Sequence, residues 1–353
     1  MSIRKPATTI SEQKHYSVLT GLEISDPDLN HSPTYCVQIP NGLDGARPQA
    51  GLLDAEIVFE AQAEREVTRF AAIFQNPTSV IGPLRSLRLY YLEWDTPFDC
   101  TIVHAGGAPD ALAAVSYGGY RDLTENYSYM YRGEAYNRVM NRYWNNLFTN
   151  ANYFQSWATN TGFTSSNPTS FARLTPEASA RARVLSQSTN PLDIDTATVP
   201  SVKELAPAVS KISFSYARSS YYDPVFSYNS ATNTYDRSYA SGHLHTSYDC
   251  DASLGNITPE LACSDAQLSP AVVVATVVDE HVAAYDNYHE EITTTGSGRA
   301  VVFQNGTATE GTWEKPTKND QIVFKDTEGQ TISLAPGQTW ISAIPAYGSI
   351  SYE

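Results

Sequence analysis

Three compact blocks lie between Arg47 and Gly107: R-P-Q-A-G-L-L-D-A-E-I-V-F-E-A, I-G-P-L-R-S-L-R and I-V-H-A-G-G. They join apolar, strand-like stretches to glycine, proline, arginine and histidine. Strand ends of that composition are where α/β folds place a binding or reaction site, because the sheet holds the loops beyond it in fixed positions. The segment locates a site more firmly than it names a reaction.

Around these blocks the pattern alternates. Residues 34–40, T-R-F-A-A-I-F-Q at Thr68–Gln75 and Asp99–His104 read as strands, the last closed by Ala105-Gly106-Gly107. The stretch G-L-L-D-A-E-I-V-F-E-A-Q-A fits a helix or a strand led in by Asp54. Pro109 suits the first turn of a helix over Asp110–Val115, and alanines and arginines from Thr175 to Val184 suggest another. An α/β N-terminal lobe with a mixed sheet is expected. After about residue 208 the chain changes to K-I-S-F-S-Y, P-V-F-S-Y, A-V-V-V-A-T-V-V, R-A-V-V-F, Q-I-V-F-K and T-W-I-S-A-I-P. Turns at Gln304-Asn305-Gly306 and Thr327-Glu328-Gly329 separate some of these at hairpin spacing, which predicts a mostly antiparallel β C-terminal domain and an α+β chain overall. The length of 353 residues supports two cores rather than one. The expected division is 1–18 as a linker remnant after a removed leader, 19–190 as the α/β domain, 191–207 as a linker and 208–353 as the β domain.

A net charge of -15 argues against nucleic acid and against a polybasic hold on an anionic membrane. No lysine occurs between Lys14 and Lys203, yet twelve arginines run from Arg47 to Arg183. Arginine grips carboxylate or phosphate oxygens with a planar two-pronged donor set that lysine lacks. Arg47, Glu60, Arg69, Arg85, Arg88, His104, Gly106, Gly107 and Asn145 are therefore the candidate ligand-binding residues. The competing reading is ordinary ion pairing, with Glu60, Glu64 and Arg69 in a buried network. His104, before two glycines, fits a base, an anion donor or a ring held by a local hydrogen bond. No catalytic residue is assigned, since Ser86 lacks a G-x-S-x-G frame. His243-Leu244-His245 would put two rings on one face of a strand, but a third ligand is missing, so the pair reads as surface histidines in a turn. Neither a metal nor a cofactor is implied. The tyrosine- and asparagine-rich stretch 116–165 fits a sugar-lining groove or a packing layer.

Four cysteines read most simply as Cys36 with Cys100 and Cys250 with Cys263, which implies export; four buried free thiols are the alternative. No apolar run approaches the roughly 20 residues of a membrane-crossing helix.

Several blocks carry a family resemblance. R-P-Q-A-G-L-L-D-A-E-I-V-F-E-A, V-T-R-F-A-A-I-F-Q, I-G-P-L-R-S-L-R, V-H-A-G-G-A-P-D-A and, near the C-terminus, G-S-G-R-A-V-V-F-Q-N-G-T-A-T-E-G-T-W and L-A-P-G-Q-T-W-I resemble the YerB family of bacterial lipoproteins, from about Leu19 to Pro345. The resemblance implies two consecutive domains of unknown function on an extracytoplasmic protein anchored to the outer face of a bacterial membrane. Its only membrane contact would be a lipid anchor that this sequence does not contain. Two departures stand out. The family's P-H-N-L-Y-T is here Trp144-Asn145-Asn146-Leu147-Phe148-Thr149, and its E-G-G-I-T-R-F is here Glu64-Arg65-Glu66-Val67-Thr68-Arg69-Phe70.

The first lobe alone resembles, in the order of its segments, the LytR-CpsA-Psr phosphotransferases. That likeness implies Arg69, Arg85 and Arg88 around a polyprenyl pyrophosphate, with Asp54 or Glu60 near a metal. Three functions follow: a cell-envelope protein that binds an anionic or glycan ligand or an envelope protein partner, an envelope phosphotransferase, and a structural subunit of a surface complex. Binding is the reading preferred over catalysis.

Overall fold

The computed structural model describes residues 14–133, 145–187 and 208–353. The expected linker at 191–207 and the first thirteen residues of the expected linker remnant at 1–18 lie outside them. His15–Tyr16 pairs with Glu23–Ile24 in a two-stranded ribbon.

Ten strands form the central sheet: β1 (Thr34–Pro40), β2 (Ile57–Glu64), β3 (Val67–Phe74), β4 (Cys100–His104), β5 (Arg121–Thr124), β6 (Val272–Val278), β7 (Gly296–Gln304), β8 (Thr307–Lys315), β9 (Val323–Asp326) and β10 (Thr339–Pro345). Their spatial order is β9-β8-β7-β6-β10-β2-β3-β1-β4-β5. In the N-terminal half β2, β3 and β1 pair antiparallel while β1, β4 and β5 run parallel, giving the mixed sheet. In the C-terminal half β6 to β9 form antiparallel hairpins. The two halves share this sheet, because β10 lies parallel to β6 on one side and to β2 on the other, with Trp340 opposite Val58.

The G-L-L-D-A-E-I-V-F-E-A-Q-A stretch resolves as a turn followed by strand β2. Its β-branched and aromatic residues suit a pleated surface, and partners on both edges settle the choice. β6 reads V-V-V-A-T-V-V with no polar alternation because both of its faces are covered.

The period of two along β2 divides its side chains between two cores. Ile57, Phe59 and Ala61 face one side, where they pack with Tyr91 and Trp94 of helix α1 (Leu89–Asp95) and Ala111 of α2 (Pro109–Tyr117). Val58 faces the other side, with Phe70, Trp340 and Phe154 of α3 (Ala151–Thr161). That side is closed by Phe214 and Phe226 from a four-stranded sheet formed by Lys211–Ser215, Pro224–Asn229, Thr234–Tyr239 and Ser349–Tyr352. Each large apolar side chain buried in this way contributes about 2–3 kcal/mol. Pro109 opens α2 and Pro176 opens α4 (Pro176–Gln187), as expected of first-turn prolines.

Parallel pairing of β1 with β4 sets Thr34 opposite Cys100 and Cys36 opposite Ile102, so the two cysteines lie 5.8 Å apart at Cα and form a disulfide. Cys250 and Cys263 form the second, with Cα atoms 5.3 Å apart.

Candidate functional site

Glu64 ends β2 just past a bulge, Arg69 lies on the facing strand β3, and Arg88 caps the N-terminus of α1. The structure joins these three. Arg69 Nη2 donates to both Glu64 oxygens at 2.8 and 2.9 Å, and its Nη1 donates to the Ser86 carbonyl at 2.7 Å. Arg88 Nη2 donates to the same Glu64 carboxylate, and Nη1 to the Leu87 carbonyl at 2.9 Å. Both guanidinium groups are buried. Arg85 lies close enough to influence Glu64, yet its side chain forms no hydrogen bond or ion pair among the described residues. Two guanidinium groups therefore share one carboxylate, with a third nearby.

Burial alone would raise the Glu64 pKa, but Arg69 and Arg88 outweigh it and hold the carboxyl down at about 2. A carboxylate depressed in the folded state stabilises the fold above its unfolded pKa, near 4.5, and that contribution is lost as pH falls toward 2. Glu64→Gln should remove about 2 kcal/mol at neutral pH, allowing for partial solvent screening, and flatten the acid limb of a urea-stability profile between pH 4.5 and 2. An unchanged acid limb in this variant would assign the loss to other carboxylates.

His104 closes β4 with both ring nitrogens engaged: Nδ1 lies 2.7 Å from the Gly106 carbonyl and Nε2 lies 2.9 Å from Asp122 Oδ1. The ring is spent on its own loop and on β5. The 105–108 loop is bonded to the arginine segment, since Leu87 N–H donates to Gly106 O at 2.9 Å and Ala108 N–H to Leu87 O at 3.1 Å. Gly106 has φ 66, the left-handed region that favours glycine. A Cβ on Gly107 would sit 3.0 Å from Leu112 and 3.2 Å from the Leu87 carbonyl, so glycine there permits the close approach of the two loops.

The remaining candidates bond elsewhere. Glu60 is fully buried and accepts from Arg237 Nη2 at 3.0 and 2.9 Å, Trp340 Nε1 at 2.9 Å and Thr68 Oγ1 at 3.1 Å. Asn145 donates to the Asp44 carbonyl at 3.2 Å. Arg47 bonds Asn41 and stacks on Tyr239. Asp54 accepts from the Thr78 N–H and hydroxyl at 3.0 and 3.1 Å. The surface reading of the histidine pair holds for His243 and is corrected for His245, which is buried, contacts Arg237 and lies 3.0 Å from Gln49 Oε1. Burial beside Arg237 and Arg47 keeps this imidazole neutral, with its pKa well below the usual value. No group of three metal-ligating side chains occurs among the described residues.

A cleft of about 370 Å³ opens beside the arginine cluster. Arg88 precedes α1, Glu93 comes from α1, Asp110 from α2, and Tyr285, Glu290 and Glu291 from the far half of the sequence. Glu93 is held by Lys318 at 2.5 Å and by the Thr294 hydroxyl, and Glu290 by Arg218. Oε2 of Glu290 is buried and has no partner among the described residues. Tyr285 is 50 % exposed, and its hydroxyl is pushed up to about 12 by desolvation together with Asp110 and Asp286. Sequence reading found the near wall, through Arg88 and the glycines preceding Ala108, but missed the far one. Its only signal was the polar run Asp286–Thr295, which has no motif spacing.

Comparison with known proteins accounts for both halves. Residues 19–164 match the model for the N-terminal domain of a protein of unknown function, DUF3048, and residues 212–341 match its C-terminal domain. The chain is 27% identical over 352 residues to "Putative lipoprotein YerB" of Bacillus subtilis (strain 168), covering 97% of this chain and 90% of that protein. The crystal structure of YerB from Bacillus subtilis has a similar fold, with a TM-score of 0.72 at 23% identity over 96% of this chain and 100% of that one. No helix among the described residues is long and apolar enough to cross a membrane.

Proposed function

The chain belongs to the two-domain DUF3048 family, and from that premise we propose that it is an exported, envelope-anchored binding protein whose ligand is of glycan type. The ligand lies in the cleft between α1, α2 and the Glu280–Thr295 segment. Two disulfides and the name of the Bacillus relative support export and anchoring.

The observation that carries the ligand class is the lining of that cleft. Glu93, Asp110, Glu290 and Glu291 face it together with threonine hydroxyls, while its cations are Arg88 and Lys318. Carboxylates accept hydrogen bonds from sugar hydroxyls and repel anions, and the half-exposed Tyr285 ring offers an apolar face on which a pyranose stacks. Binding is preferred to group transfer because both ring nitrogens of His104 and the terminal nitrogens of Arg69 and Arg88 are already bonded within the protein. Titration with chitotetraose should give saturable binding that Tyr285→Ala weakens about tenfold at an unchanged melting temperature.

A second reading places an anion on Arg85, which lacks a partner among the described residues, and rests on the three-to-one ratio of guanidinium to carboxylate there. Pyrophosphate binding abolished by Arg85→Ala, with no response to the saccharide, would replace the glycan reading with this one.

A further inference from the structure

A second cleft, of about 380 Å³, lies on the opposite face of β2 and β3 from α1, over the Glu60–Arg237 network. Its walls are Leu43, Tyr221, Tyr239, His243 and Leu244, and Arg47 stands among them. Leu43, Tyr221 and Leu244 are 53, 63 and 66 % exposed, so the cleft presents apolar surface to solvent beside a lone guanidinium.

The guanidinium is held rigidly. Its Nε donates to Asn41 Oδ1 at 2.8 Å, and Asn41 is itself fixed by the Tyr239 hydroxyl at 2.8 Å and by Thr68 at 2.7 Å. The plane lies over the Tyr239 ring, with Cζ 3.7 Å from its centroid. Neither terminal nitrogen has a hydrogen-bond partner among the described residues, and Nη2 is shielded from solvent. Among the described residues no carboxylate lines the cleft. Beneath it, Glu60 is already taken by both oxygens in its pair with Arg237, and His245 is neutral. Among the described residues Arg47 is thus a positive charge without a counter-charge of its own, held in place by Asn41 and Tyr239 with its Nη1 unbonded. Leaving such a group partly desolvated and unpaired is unfavourable, and a bound carboxylate would relieve it.

We propose that this cleft is a separate binding site for a small aromatic carboxylate, whose acid group pairs with Arg47 and whose ring lies between Tyr221, His243 and Leu244. The class follows from the lining: one fixed cation selects a single anionic group, and the aromatic and aliphatic walls select a flat apolar body. This site shares no lining residue with the cleft beside α1, so the two are independent.

The test is calorimetric titration of the full chain with naphthoate, and with naphthyl methanol as the uncharged match. Saturable naphthoate binding is expected, with the alcohol and the Arg47→Gln variant each about tenfold or more weaker. Chitotetraose binding by Arg47→Gln should equal that of the unaltered protein, which separates failure of this site from failure of the other. Because Arg47 stacks within the fold, a second variant guards against misfolding. Leu244→Asp places a negative charge at the exposed mouth and should weaken naphthoate by a similar factor at an unchanged melting temperature. Absence of saturable naphthoate binding, equal affinity for the alcohol, or naphthoate affinity unaltered by both substitutions would overturn the proposal.

Discussion

Replacing Glu60 with alanine is expected to cost about 3–5 kcal/mol of folding stability, the range for breaking a buried ion pair from one side. Glu60 and Arg237 both have side chains at 0 % exposure, and the carboxylate also accepts from Trp340 and Thr68. Without it, Arg237 would remain charged, since guanidinium does not lose its proton in proteins, and would face Trp340, Tyr239 and Phe226 at 4.8, 4.9 and 5.6 Å. Those rings supply weak cation–π attraction and no compensating anion. Glu60→Gln keeps an acceptor for Trp340 but not the charge, so it should fall between alanine and the unaltered protein. The double variant Glu60→Leu with Arg237→Met should lose less than Glu60→Ala, because it removes the desolvated charges together. Urea unfolding of the four proteins decides the matter. A loss below about 1 kcal/mol for Glu60→Ala would mean that water reaches Arg237 and that the pair is not a buried one. Glu60 belongs to the first half and Arg237 and Trp340 to the second, so both halves are expected to unfold in one transition.

The same pair marks where sequence reading stopped. Local chemistry was legible: the strands at 34–40 and 68–75, the first-turn Pro109 and the grouping of Arg69, Arg85 and Arg88 all follow from short-range pattern. Glu60 was set beside that grouping by the phosphotransferase likeness, as a residue near a metal, or as part of a buried network with Glu64 and Arg69. The alternation of β2 turns it to the face opposite Phe59, toward residues some 180 and 280 positions away. Parallel pairing of β10 with β2 leaves no turn between the partners to announce it, so the shared sheet was not legible either. His245 was read as exposed because the H-L-H pair lacks a third metal ligand and so fits two surface histidines in a turn. Its burial arises from Gln49 and Arg237, which only the assembled fold brings to it. The cleft beside α1 was half legible for the same reason, with its near wall in the first half and its far wall beyond residue 280.

Removing the Cys36–Cys100 disulfide should be the more damaging of the two possible losses, and by a margin set by chain length. The bridge spans 64 positions and its partner spans 13. Closing the longer loop removes more unfolded-chain entropy, giving about 4 kcal/mol against about 3 kcal/mol for the shorter. Alanine is the informative replacement at Cys36 and Cys100, because both sulfurs lie in the core beneath α1 and a serine hydroxyl there would add the separate cost of an unpaired polar group. Cys36→Ala with Cys100→Ala is therefore expected to reduce stability by about 4 kcal/mol, plus a smaller term for the packing lost with the two sulfurs. Cys250→Ala with Cys263→Ala should reduce it by about 3 kcal/mol. Accessibility adds a kinetic ordering. Cys263 is partly exposed, whereas Cys36 is fully buried, so dithiothreitol under native conditions should open the shorter loop first and the longer one only as the sheet unfolds. Urea unfolding of the two double variants and mass-resolved thiol labelling during reduction measure the two orders independently. A smaller loss for the Cys36–Cys100 variant would show that residual structure in the unfolded chain, rather than loop length, governs what each bridge contributes.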